Sequence, residues 1–132
     1  MDHQQRTPLA TILVVLTGLL VACSQSSTRL GWVEASSPGS LEATYAEFTG
    51  METRTVPVQP GKTLYLEYDA EVRKGALRLE VDDPLGETIW CAFLCDSCGE
   101  TKVLPVNRAG CYTISVQGET TEGGFELQWE QR

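Results

Sequence analysis

Apolar and polar residues alternate along most of the chain from Leu30 onward. Leu64, Leu66 and Tyr68 share one face of the run 63–68, and Leu77, Leu79 and Val81 share another with Arg78 and Glu80 opposite. Tyr112, Ile114 and Val116 repeat the pattern, and Phe125, Leu127 and Trp129 carry it to the end of the chain. A period of two means a strand with one side buried and the other solvated. Turn residues separate the runs: Gln59-Pro60-Gly61-Lys62, Lys74-Gly75, Asp83-Pro84-Leu85-Gly86, Ala109-Gly110 and Glu122-Gly123-Gly124. This spacing predicts eight or nine short strands in an all-β fold, an antiparallel β-sandwich of jelly-roll or immunoglobulin-like form. The residues on the alternating faces, from Leu64 to Leu127, are its expected core. Leu41 to Phe48 fits a helical turn or an edge strand, and is read as a strand.

The amino-terminal segment follows a different rule. A mostly apolar run from Leu9 to Leu19, with Thr11, Thr17 and Gly18 inside it, ends in Leu20-Val21-Ala22-Cys23. That is the layout of a secretory signal peptide, helical and later removed, except that the residue after the cut is a cysteine. The pattern resembles the lipobox of bacterial lipoproteins. The resemblance implies that residues 1–22 are cleaved and that Cys23 becomes a lipidated, acylated amino terminus. The stretch from Pro8 to Ala22 is shorter than the about 20 residues a spanning helix needs. The expected organisation is a lipoprotein signal peptide at 1–22, a short tether at 23–28 and a β-sandwich domain at 29–132. Attachment would then rest on acyl chains such as palmitate, and stable anchoring takes more than one. The place implied is extracytoplasmic, on a bacterial membrane at the cell envelope.

Charge narrows the partners. The chain carries 18 acidic and 10 basic residues, a formal charge of −8. Residues 1–22 hold one acid and one base, so their removal leaves that charge unchanged. An acidic domain of this kind argues against nucleic acid and against a polybasic membrane patch.

Cysteine is the residue type with the most chemistry. Besides Cys23 there are Cys91, Cys95, Cys98 and Cys111. The spacing of the first three matches the cluster motif of radical SAM enzymes, but those need a large β/α barrel in a reducing compartment. Four thiolates can hold zinc, yet only Cys95–Cys98 has the spacing of a zinc knuckle. The same pair can be a redox motif, which needs a helix amino terminus to lower a thiol pKa. Outside the cytoplasm an even number of cysteines reads first as disulfides. Cys91 and Cys95 in one extended strand stand ~13 Å apart, beyond the about 7 Å a disulfide spans. Two arrangements remain open, Cys91–Cys111 with Cys95–Cys98 or Cys91–Cys98 with Cys95–Cys111. The first is preferred, on the expectation that Cys91 and Cys111 lie in neighbouring strands.

Catalytic chemistry finds little support. The single histidine, His3, lies in the segment to be removed, which excludes imidazole-activated nucleophiles. Asp82-Asp83 before Pro84 reads as a turn, and Asp69 with Glu71 as a solvated strand face. Calcium at Asp82, Asp83 and Glu87 would lack the six or more oxygens it needs. The reading is therefore not an enzyme, with no cofactor and no metal site.

A wider resemblance rests on Phe48-Thr49-Gly50, Pro60-Gly61-Lys62-Thr63-Leu64, Gly75-Ala76-Leu77, Asp83-Pro84-Leu85-Gly86 and Ala109-Gly110-Cys111-Tyr112-Thr113-Ile114-Ser115-Val116. These motifs are similar to those of small exported β-sandwich domains in uncharacterised bacterial lipoproteins and bacterial pre-peptidase C-terminal domains. They are turn and core residues, so the resemblance implies a fold rather than an activity. Gly110-x-Tyr112 also fits a tyrosine corner. The functional expectation is a binding or interaction module at the envelope. Trp32, Trp90, Trp129 and the tyrosines would stack on carbohydrate or anchor an envelope protein, unless they pack in the core. The alternatives are a purely structural accessory subunit of an envelope complex, or a thiol- or metal-binding protein using Cys91, Cys95, Cys98 and Cys111.

Overall fold

The computed structural model describes residues 27–132; the signal segment and Cys23 lie outside the described residues. Seven strands follow in order: β1 (Thr28–Leu30), β2 (Val33–Ser37), β3 (Ser40–Val58), β4 (Leu64–Asp82), β5 (Thr88–Leu94), β6 (Cys98–Leu104) and β7 (Gly110–Gln131). All pairings are antiparallel. The fold is an all-β antiparallel sandwich, with no helix among the described residues.

Three strands are far longer than expected. β3 and β4 each have 19 residues and β7 has 22. Each contributes one half to either layer of the sandwich. The first layer holds β2, residues 40–45 of β3, 122–131 of β7, 64–72 of β4, and β6. The second holds residues 50–58 of β3, 110–118 of β7, 77–82 of β4, and β5. Leu41 to Phe48 is a strand, as read, but it lies inside the sheet between β2 and β7 rather than at an edge.

Two sequence signals taken as chain reversals are bends instead. Lys74-Gly75 lies within β4 and Glu122-Gly123-Gly124 within β7. The reason is close backbone approach. A Cβ on Gly75 would stand 2.2 Å from the Thr120 carbonyl oxygen, and one on Gly123 would stand 1.9 Å from that of Glu71. Both glycines have positive φ, 73° and 136°, which a side chain disfavours. The two strands thus kink together, and the register shifts between Val72 and Ala76. Thr120 sits in the left-handed region at φ 43°, costly for a β-branched residue. Its amide donates to Thr49 Oγ1 on β3 at 2.9 Å, tying the third long strand to the corner. Two of the other turn signals close with hydrogen bonds, Lys62 N donating to Gln59 O and Gly86 N to Asp83 O, and Ala109-Gly110 leads into β7.

The core lies between the two layers. Every residue expected there is buried, and Leu64, Leu66, Leu77 and Val81 have no measurable exposure. The layers share one apolar cluster. Tyr68 of the first layer meets Trp90 of the second with ring centroids 5.7 Å apart. Trp32, between β1 and β2, packs on Tyr45, Phe48 and Phe125 and closes one region of the core. Arg29 lies 4.7 Å above the Trp32 ring, a cation–π contact. The tyrosine corner forms as its sequence suggested: Tyr112 donates its hydroxyl to the Arg108 carbonyl at 2.6 Å.

Truncating Leu79 to Ala should lower the unfolding free energy by about 2–5 kcal/mol, and Tyr112→Phe by about 0.5–1.5 kcal/mol, both measured by urea denaturation. Gly123→Ala should destabilise more than a surface substitution such as Glu122→Ala, because a methyl group there collides with the β4 backbone. Equal midpoints for those two variants would contradict the role given to the bend.

Candidate functional site

A groove of about 510 Å³ runs over the outer face of the first layer, lined by Tyr65, Glu67, Thr101, Val103, Gln128 and Glu130 among others. This falls within the range of small-molecule sites, roughly 300–1,000 Å³. Strand register explains the lining. Outward side chains form rows across β6, β4, β7 and β3. One row is Val103, Tyr65, Glu130; the next is Thr101, Glu67, Gln128, Ser40; the third is Gly99, Asp69, Glu126, Glu42. Further depressions on the same face involve Asp69, Glu71, Glu126 and Glu42.

The third row is energetically unusual. Asp69, Glu126 and Glu42 stand side by side on neighbouring strands, and like charges directly opposite destabilise a sheet. Gln128 Nε2 donates to Glu126 Oε1 at 2.9 Å and offsets part of that. The expectation that Asp69 and Glu71 form a solvated strand face is met, and that face floors the smaller depressions beside the groove. In the groove itself Arg132 lies 4.3 Å over the Tyr65 ring and pairs with Glu130 at 3.2 Å. Tyr65 is half-buried and forms one wall. The lining offers the carboxylates of Glu67 and Glu130, the Gln128 amide, the hydroxyls of Ser37, Ser40 and Thr101, and two aromatic residues, Tyr65 and Trp129. No imidazole or thiol is among its lining residues.

Of the tryptophans expected on a binding face, Trp129 lines the groove while Trp32 and Trp90 are elsewhere. Trp32, Trp90 and Trp129 are all partly buried against the core. Of the tyrosines, Tyr45, Tyr68 and Tyr112 are buried. Tyr65 joins Trp129 in the lining and is the tyrosine turned to the groove. The alternation of 63–68 placed it opposite Leu64 and Leu66, which is the signal that could have singled it out.

Tyr68 marks the underside of the groove. Its hydroxyl donates to Glu100 Oε2 at 3.0 Å. Burial first, and then the bond to Glu100, push its pKa up to about 12. Glu100 is held below the usual carboxylate range, by Lys102 first and Tyr68 second. Burial also raises Tyr45, with Thr121 and Arg73 acting the other way. The Tyr45 and Thr121 hydroxyls are both buried without a hydrogen-bond partner of acceptable geometry.

The cysteines do not converge. Cys91, Cys95, Cys98 and Cys111 are exposed free thiols. Cys91 on β5 faces Glu80 on β4, and β7, which carries Cys111, flanks β4 on the other side. Two strand spacings, about 10 Å, exceed what a disulfide spans. The expectation that Cys91 and Cys111 lie in neighbouring strands is therefore corrected: β4 intervenes, and the separation also disfavours a site built from all four thiols. Cys95 and Cys98 flank the loop between β5 and β6, where Ser97 Oγ accepts the Val72 amide at 3.0 Å. Asp83 does what its turn motif implied, accepting the Leu85 and Glu87 amides at 2.9 Å each.

No protein-family model matches the chain, and no curated protein matches it in sequence. Among solved structures, CBM4 aligns over 78% of this chain and 79% of its own, with 14% identity and a TM-score of 0.47. TmCBM61, solved in complex with β-1,4-galactotriose, aligns over 76% and 68% with 14% identity and a TM-score of 0.46. The enzymatically active domain of tailspike protein 4 from bacteriophage CBA120 aligns over 81% of this chain and 19% of its own, again at 14% and 0.46. Values this low carry no argument about activity, which rests on the residues of this chain.

The pH dependence of stability follows from the tyrosines. The native state holds the Tyr68 proton until about pH 12, whereas an unfolded tyrosine releases its proton near pH 10. The native state then binds more protons than the unfolded one, so this contribution is complete below pH 10 and is lost as pH rises from 10 to 12. Urea midpoints should fall across that window. The fall should be shallower in Tyr68→Phe, and a variant as steep as the parent would rule out Tyr68 as the source.

Proposed function

We propose that this chain is a lipid-anchored binding module of the bacterial cell envelope. In this reading the groove over the first layer takes a neutral, hydroxyl-rich ligand of the carbohydrate class. The observation that carries the reading is the composition of the groove. Glu67, Glu130 and Gln128 supply partners for ligand hydroxyls, and the Tyr65 ring backed by Arg132 supplies a wall for an apolar sugar face. The two groove carboxylates, Glu67 and Glu130, accept hydrogen bonds from ligand hydroxyls, and together with the acidic row beside the groove they reject anionic polymers. The groove has an aromatic wall and a polar floor on which a ligand can rest. The anchor is Cys23, and the support for it is the apolar run and the lipobox spacing.

The second reading is a structural accessory subunit of an envelope complex. One observation favours it: two of the three tryptophans, Trp32 and Trp90, lie away from the groove and pack against the core.

Calorimetric titration with neutral oligosaccharides (cello-, xylo- and β-1,4-galacto-series) separates the two readings. Binding is expected for at least one series, with affinity falling about tenfold, ~1.4 kcal/mol, in Tyr65→Ala. Absence of binding at millimolar sugar, or tighter binding of sulfated glycans than neutral ones, would reject the carbohydrate reading. Mass spectrometry of membrane-fraction protein should find an acylated amino-terminal Cys23. Recovery of unprocessed Met1, or a Cys23→Ser chain that still fractionates with membranes, would reject the anchor.

A further inference from the structure

The second layer ends in an edge unlike the other edges of the sandwich. β5 is Thr88-Ile89-Trp90-Cys91-Ala92-Phe93-Leu94, seven residues without a charge or a proline, and it pairs only with β4. Exposed sheet edges invite pairing with another strand, and proteins blunt them with charges, prolines or inward-pointing ionic residues. β6, the edge of the first layer, carries Glu100 and Lys102, ion-paired on the same face as Leu104. The free edge of β3 carries part-buried Glu52 and Arg54, joined to each other and to Arg29 and Glu34, and then Pro57. β2 carries Glu34 within five residues. On β5, Phe93 is 61% exposed and Ile89 37%.

We infer that β5 is a self-association edge, where two copies pair antiparallel about a two-fold axis through Cys91 and are joined by a Cys91–Cys91 disulfide. Cys91 is the middle residue of the seven. Centring the pairing there sets Ile89 opposite the second copy's Phe93, and Phe93 opposite its Ile89, on the outer face. Aromatic residues beside β-branched ones are favourable cross-strand pairs. On the inner face Trp90 meets the second copy's Ala92, a large residue against a small one. Directly opposed residues have Cα atoms about 4.5–5.5 Å apart, within the roughly 4.4–6.8 Å of a disulfide. Charges agree with this register. The nearest like pair, Glu80 and its copy, is separated by three strand spacings, about 14 Å, beyond the screening length of about 8 Å at physiological salt. The row of Arg78 continues through Phe93 and the second copy's Ile89 toward its Asp82, of opposite sign. The seam is one strand long, well below the roughly 1,200 Å² of a stable interface, so the covalent bond is what makes the dimer persist. It forms by exchange with a small disulfide oxidant such as oxidised glutathione. One Cys91 thiolate attacks the oxidant and releases one thiol. The second Cys91 thiolate then attacks the mixed disulfide and releases the other. Two thiol protons and two electrons pass to the oxidant. The groove lies on the other layer, so this inference stands apart from the carbohydrate reading.

The test uses the full chain extracted from membranes in mild detergent, incubated with oxidised glutathione and alkylated. Non-reducing electrophoresis should show a dimer, and peptide mapping should show the Cys91 peptide linked to itself. Cys91→Ser should abolish it. Ile89→Lys with Phe93→Lys places like charges opposite each other and should lower the dimer yield at least ~10-fold. Ile89→Lys with Phe93→Glu places opposite charges there and should restore it. Cys91 recovered as a free thiol, linked to Cys95, Cys98 or Cys111, or joined in a dimer through another cysteine would overturn the inference. Equal dimer yields from the two double variants would do the same.

Discussion

Backbone contact between β4 and β7 at their shared bend is the constraint on which the rest of the sandwich depends. At Gly75 and Gly123 the two chains approach more closely than any side chain allows. That contact lets two central strands continue from one layer into the other without a connecting loop. The same residues therefore set which apolar faces meet across the core. They also decide where the edge strands fall, because β5 and β6 pair with opposite ends of the same strand. Thr120 shows that the corner is held by its surroundings: a β-branched residue stays in a left-handed conformation there, with its amide bonded to Thr49.

The two layers then diverge in chemistry. The outer face of the first layer collects carboxylates in rows, including three that repel one another across adjacent strands. Stability alone would not select such a row, since opposed like charges cost free energy in a sheet. The second layer has the reverse character at its margin, an apolar strand with a thiol at its centre. Its counterpart edge on β3 is closed by Glu52, Arg54 and Pro57, so the asymmetry between the two margins is local to β5 rather than a general property of the sheet.

Much of this was legible in the chain, and the limits have physical causes. Tyr112 was recognisable as a corner residue because its hydroxyl bonds only four residues back, to Arg108. Asp83 was recognisable as a turn residue because its carboxylate caps amides two and four residues on. The groove was not legible. Its lining comes from β4, β6, β7 and β3, whose order in space differs from their order in sequence. Asp69 and Glu71 looked like an ordinary solvated face because nothing local says that Glu126 and Glu42 stand beside them. Trp32 and Trp90 misled for a related reason: an aromatic side chain signals large buried area equally well at a surface site or in a core.

The sequence by itself determined the all-β class, the core residues of the clearly alternating runs and the local turns, because side-chain alternation and turn chemistry act over a few residues. The core contributions of Leu41, Phe48, Val56, Leu94 and Leu104 emerged only in the fold. The sequence marked glycines at the right positions but not their consequence. A glycine pair that ends a strand and one that bends it look alike until the partner backbone is in place. Only the tertiary structure decided that β4 and β7 run through both layers and that β4 separates Cys91 from Cys111. It alone turned a set of scattered acids into one face. Each of these depends on strand order and register, which are fixed by contacts between segments distant in the chain and by the steric demand of their closest approach.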